Sequence, residues 1–119
     1  MGRLTTHVLD TSSGRPAAGL KVVLARLDGD ENLDKTIIAE VFTNADGRVD
    51  PPLLDGAAFT PGRYQLAFHV GDYFRAQGTA LADPAFLDVV PVRFGLSSDT
   101  DCHVPLLVSP YGYSTYRGS

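Results

Sequence analysis

Apolar and polar residues alternate one by one through short runs of this chain, and each run stops at a cluster of Gly, Pro, Asp or Asn. A period of two is the signature of strands with one face buried, because successive side chains of a strand point to opposite sides. Leu4, Thr6 and Val8 alternate with Thr5, His7 and Leu9, which predicts a strand near 3–10, closed by a turn over 10–16. Further strands are predicted at 20–27, at 36–43 and, briefly, through Arg48 and Val49 after the turn Asn44-Ala45-Asp46-Gly47. Tyr64, Leu66, Phe68 and Val70 continue the pattern, followed by runs at 89–96, 102–109 and 111–116. Residues 71–78 lack strand character and fit one short helix. The 12 glycines and 8 prolines supply the turns such a chain needs. The expectation is an all-β protein, an antiparallel β-sandwich of seven or eight strands with one short helix, forming a single domain over 1–119.

Charge and composition exclude several functions. The net charge is −4 with acidic residues scattered, so there is no basic stripe for nucleic acid. No run approaches the length of a membrane-spanning helix, and the first residues lack the apolar stretch of a signal peptide, so a cytoplasmic location is expected. The single cysteine, Cys102, rules out an internal disulfide and argues against a thiolate metal cluster. No phosphate loop, nucleophile elbow or zinc spacing occurs, and neither a metal nor a cofactor is expected.

What remains is three histidines, a few arginines and an unusual tail. Cys102, Val104, Leu106 and Val108 form one apolar face, which turns His103 to the other side with Pro105 and Leu107. By the same parity His7 shares an outer face with Leu9. Apolar side chains on both faces of these strands imply that the outer face is covered, by another subunit. Taken alone, each histidine fits a surface or interface role as well as a catalytic one. Arg48 by itself fits a solvated rim charge, and His69 fits a solvent-facing position. The tail, Ser109-Pro110-Tyr111-Gly112-Tyr113-Ser114-Thr115-Tyr116-Arg117-Gly118-Ser119, is dense in hydroxyls. Folded into a site, it would present the Tyr116 and Ser119 hydroxyls and the terminal carboxylate.

Three blocks together carry a resemblance. Leu4-Thr5-Thr6-His7-Val8-Leu9-Asp10 with Gly14-Arg15-Pro16-Ala17, then Thr43-Asn44-Ala45-Asp46-Gly47-Arg48, then His103-Val104-Pro105-Leu106-Leu107 with the tail, closely resemble the transthyretin-like 5-hydroxyisourate hydrolases. The hormone-carrying transthyretins share the fold and the Ser-Pro-Tyr-x-Tyr-Ser-Thr segment but lack the His/Arg/His set and the terminal Tyr-Arg-Gly-Ser.

The resemblance implies a transthyretin-like (prealbumin-like) sandwich assembled as a homotetramer, a dimer of dimers, with sites in the channel between dimers. It implies a cyclic amide hydrolase of urate degradation, acting on 5-hydroxyisourate to give 2-oxo-4-hydroxy-4-carboxy-5-ureidoimidazoline. His7, Arg48, His103 and Ser119 match the family's catalytic positions. The same residues with Tyr116, Arg117 and Gly118 match its substrate-binding set. Such a ring opening needs an activated water, an oxyanion stabiliser and a proton for the departing nitrogen, roles suited to histidine and arginine. The alternative function is a non-catalytic carrier of a small aromatic ligand.

Overall fold

In the computed structural model, residues 2–29 and 34–118 are described. Among these, eight strands and one α-helix follow one another as β1 (Leu4–Asp10), β2 (Arg15–Pro16), β3 (Lys21–Asp28), β4 (Asp34–Phe42), β5 (Gly62–Phe68), α1 (Val70–Ala76), β6 (Val90–Leu96), β7 (Cys102–Ser109) and β8 (Gly112–Thr115), with a single 3-10 turn at Gly56–Ala58 before β5. They form two four-stranded sheets, ordered β2-β1-β7-β8 and β4-β3-β5-β6. The β-sandwich with one short helix expected from the alternation is therefore present.

The alternation explains the layering. Leu4 and Val8 of β1 and Val104, Leu106 and Val108 of β7 turn inward from the first sheet. From the second sheet Val22, Leu24, Tyr64, Leu66 and Phe68 meet them in one core cluster. Burying such side chains contributes about 1.5–3 kcal/mol each, which is what holds two small sheets together. Helix α1 covers one end of the core with Val70, Tyr73 and Phe74. The Tyr73 hydroxyl donates to the buried Asp10 carboxylate at 2.9 Å, tying α1 to the end of β1.

Several details depart from the simple pattern. All strand pairs are antiparallel except β1 with β7, which run parallel in the register Thr5 opposite His103 and His7 opposite Pro105. The expected strand through Arg48 and Val49 is reduced to one bridge, Arg48 with His7. In its place the two-residue β2, inside the expected turn, pairs with the end of β1. Val70 begins α1 rather than ending β5, since the chain turns at His69. Gln65, on the outer side of β5, is nevertheless buried, with its carbonyl oxygen accepting a 3.1 Å hydrogen bond from Arg93 Nε.

Candidate functional site

The outer face of the β2-β1-β7-β8 sheet gathers side chains from four distant stretches of the chain. Parity places Thr5, His7 and Leu9 outward on β1, each half-buried between fully buried neighbours. On β7 His103 and Leu107 do the same, while Pro105 is buried. The parallel register sets Thr5 beside His103, with Thr5 Oγ1 and His103 Nδ1 2.9 Å apart in hydrogen-bonding contact.

Arg48 is delivered by a tight loop. Asn44 Oδ1 accepts hydrogen bonds from the backbone N–H of Asp46 at 2.9 Å and of Arg48 at 3.1 Å, an Asx arrangement that curls the chain. Gly47, at φ +73°, completes the turn and accepts a 2.9 Å hydrogen bond on its carbonyl from the Val8 N–H. That bond docks the loop against β1 and brings Arg48 opposite His7, with Arg48 itself exposed.

A cavity of about 380 Å³ opens over this region, lined by Arg3, Thr5, Arg48, Asp101 and His103. Every lining side chain is polar or charged. His7 adjoins it through Arg48 rather than forming its wall. The electrostatics follow from that crowding. Burial, then the Arg48 guanidinium, hold His7 below the ordinary histidine value, against an opposing pull from the Asp46 backbone and carboxylate. Burial, Arg48 and His7 lower His103 in the same way. The lowering favours the neutral form of both rings, in which one nitrogen can accept a proton.

The tail divides. Gly118 returns to the sheet, bridging His103 and donating its N–H to the His103 carbonyl at 2.7 Å. This pairing keeps the register of β7 with β8. Arg117 and Tyr116 do not line the cavity over His103. Arg117 reaches Thr100 and the Asp101 carbonyl at 3.5 and 3.4 Å, beside a separate cleft with Cys102. Tyr116 is exposed and borders another cleft, with Val92 and Val104. Ser119 lies outside the described residues. His69 caps the start of α1, and Cys102 is buried in the core with no part in the cavity.

The alternation points to His7 and His103 but leaves out Thr5, Arg3 and Asp101. Thr5 shares the parity of His7 and so was visible on the same face; its contact with His103 depends on a parallel pairing that no local pattern specifies. Among the described residues no three His, Cys, Asp or Glu side chains gather as a metal site would require. Among the described residues no helix is long and apolar enough to cross a membrane.

Comparison with known proteins agrees with the fold. The chain is 63% identical over 119 residues to the 5-hydroxyisourate hydrolase 2 of Rhizobium meliloti, covering 99% of this chain and 97% of that one. The structure of Klebsiella pneumoniae 5-hydroxyisourate hydrolase superposes with a TM-score of 0.80 at 34% identity, covering all of both chains. That of an (S)-allantoin synthase superposes at 0.91 with 46% identity, covering 99% of this chain, which spans 44% of the length of that larger protein. The model of the HIUase/Transthyretin family matches residues 4–118, and the chain belongs to that family.

Proposed function

We propose that this protein is a 5-hydroxyisourate hydrolase, opening the six-membered ring of 5-hydroxyisourate to give 2-oxo-4-hydroxy-4-carboxy-5-ureidoimidazoline in urate degradation. The observation that carries the reading is the juxtaposition of His7, Arg48 and His103 at one sheet face, with Arg48 and His103 in the wall of a cavity lined by polar and charged residues. The identity to proteins of that name supports it.

The chemistry asked of the site is modest. A neutral histidine takes a proton from water as the water oxygen bonds to a ring carbonyl carbon. The Arg48 guanidinium, a permanent charge with a planar donor fork, meets the oxyanion that forms. The carbon–nitrogen bond of the ring then breaks, and the proton passes from imidazolium to the departing nitrogen. No cofactor enters these steps. Ser119, Tyr116 and Arg117 are assigned to the substrate side of the site, with a neighbouring subunit bringing the Tyr116 and Arg117 that this chain holds away from its own cavity.

That assignment goes with a homotetramer, a dimer of dimers, whose channel covers the outer face of the β2-β1-β7-β8 sheet. The exposed Tyr111 and Tyr113 and the half-buried Leu9 and Leu107 are the apolar surface such contacts would use. One core cluster and a family match over nearly the whole chain support a single domain. A carrier of an aromatic ligand would want mainly apolar walls, whereas polar and charged residues line this cavity.

The test is the decay of freshly generated 5-hydroxyisourate, followed by its ultraviolet absorbance. The purified protein should shorten it well below the spontaneous lifetime; an unchanged decay at micromolar protein rejects the assignment.

A further inference from the structure

The ring of His103 serves hydrolysis only if something holds it. Two contacts do, one on each side of the ring. Thr5 stands directly beside His103 in the parallel register, its Oγ1 2.9 Å from Nδ1. On the opposite edge lies Gly118. A Cβ at that position would fall 2.7 Å from His103 Cδ2 and 3.2 Å from its Cβ and Cγ. Real Cβ atoms do not approach so closely, and the φ of Gly118 lies outside the left-handed region, so glycine is required here for room rather than for backbone freedom. With Nδ1 occupied and the Cδ2 edge against the tail backbone, the Cε1–Nε2 edge is what His103 presents to the cavity.

We propose that Thr5 and Gly118 are positioning residues for His103: Thr5 fixes one tautomer by engaging Nδ1, Gly118 leaves the ring its place, and Nε2 is the nitrogen offered to substrate. The proposal rests on the reading that His103 takes part in hydrolysis. It has consequences for that reading, because a neutral imidazole accepts a proton on one nitrogen only, and the tautomer decides which. If Nδ1–H donates to Thr5, Nε2 is a base; if the Thr5 hydroxyl donates to Nδ1, Nε2–H is a donor. Either way Thr5 acts through the histidine and not on the substrate. Small displacements of a reacting group carry large rate penalties, so a ring free to rotate or to exchange tautomers would be a poor catalyst.

The experiment pairs Thr5→Val, an isosteric change that keeps β-branching and removes the hydroxyl, with Thr5→Ser, which restores it. Side-chain 15N spectra at about pH 8, where histidine is neutral, read the His103 tautomer without any substrate. The wild type and Thr5→Ser should hold one tautomer, and Thr5→Val should show a mixture. In steady-state assays Thr5→Val should lose about tenfold in kcat with KM within about twofold, and Thr5→Ser should recover most of the loss. A single unchanged His103 tautomer in Thr5→Val overturns the proposal, whatever the activity, and so does a mixed tautomer with unchanged kcat. Gly118→Ala should shift the His103 ring resonances in the folded protein, and unshifted resonances overturn its part. If His103→Ala is as active as the wild type, the hydrolytic role of His103 falls, while the spectra still decide whether Thr5 sets the tautomer.

Discussion

Arg48 and His7 face one another across a single antiparallel bridge, although the chain between them builds the full strands β3 and β4 of the other sheet. The guanidinium so delivered depresses the pKa of His7 and also that of His103 on β7, second in each case to burial. Arg48→Gln should raise both values toward, but not beyond, the ordinary histidine value, since burial persists. Arg48→Lys, which keeps the charge, should raise them less. Both variants should lose activity, Arg48→Gln by about 10²–10³ in kcat/KM, the usual cost of an oxyanion donor. Histidine titrations by NMR and steady-state rates check the two halves separately.

The same depression fixes the sign of the pH dependence. Both histidines titrate below 6.5 in the folded protein and near 6.5 when unfolded, so between those values the unfolded chain binds more protons. Stability should therefore rise with pH through that window and level off above 6.5, and fall as the solution is acidified. Activity should follow, with the acid limb of kcat/KM centred below 6.5 and a plateau through neutrality. Urea midpoints and rate profiles over the same pH range measure both, and an acid limb centred above 7 contradicts a neutral resting state.

Gly47 couples the fold to the site. Its φ is +73°, and a Cβ there would stand 2.5 Å from the Val8 carbonyl oxygen, a backbone atom held by β1. Gly47→Ala should cost at least about 2 kcal/mol, or roughly 8 °C in melting temperature for a domain of this size. Activity should fall further than stability, because Arg48 is displaced with the turn. Rates taken well below the variant's melting point separate the effects, and wild-type kcat there refutes the coupling.

Completion of the site by a neighbour predicts a concentration dependence. Activity per subunit should fall on dilution through the range in which sedimentation shows dissociation, with far-ultraviolet circular dichroism unchanged. Constant specific activity in the dissociated protein would mean that one chain holds the whole site.

The strands were legible because the period of two is local: β1 and β7 follow the alternation almost residue for residue. Interactions made across the fold were not. β2 is two residues inside a turn-rich stretch, and its pairing depends on β1 being next to it. Arg48 reads as the start of a strand, yet the Asn44 turn and the Gly47 carbonyl leave it a single bridge, which sets its charge beside both histidines. Gln65 has the parity of a solvent-facing residue and is buried because Arg93 lies across it. Thr5 shows the same gap most clearly, its face set by the alternation and its partner by a parallel register. His7 and His103 were visible as an outward pair, whereas the separation of Gly118 from Tyr116 and Arg117 emerges only where the tail rejoins β7.

If the polar face holding His7, Arg48 and His103 performs the hydrolysis, removal of the His103 imidazole in His103→Ala should show it. Decay of freshly generated 5-hydroxyisourate is to be followed with untagged wild type and variant at equal concentration, after circular dichroism and sedimentation have shown the same fold and assembly. Rapid decay is expected with the wild type and, with the variant, a fall of about 10²-fold or more in kcat/KM. Equal acceleration by both proteins would contradict it.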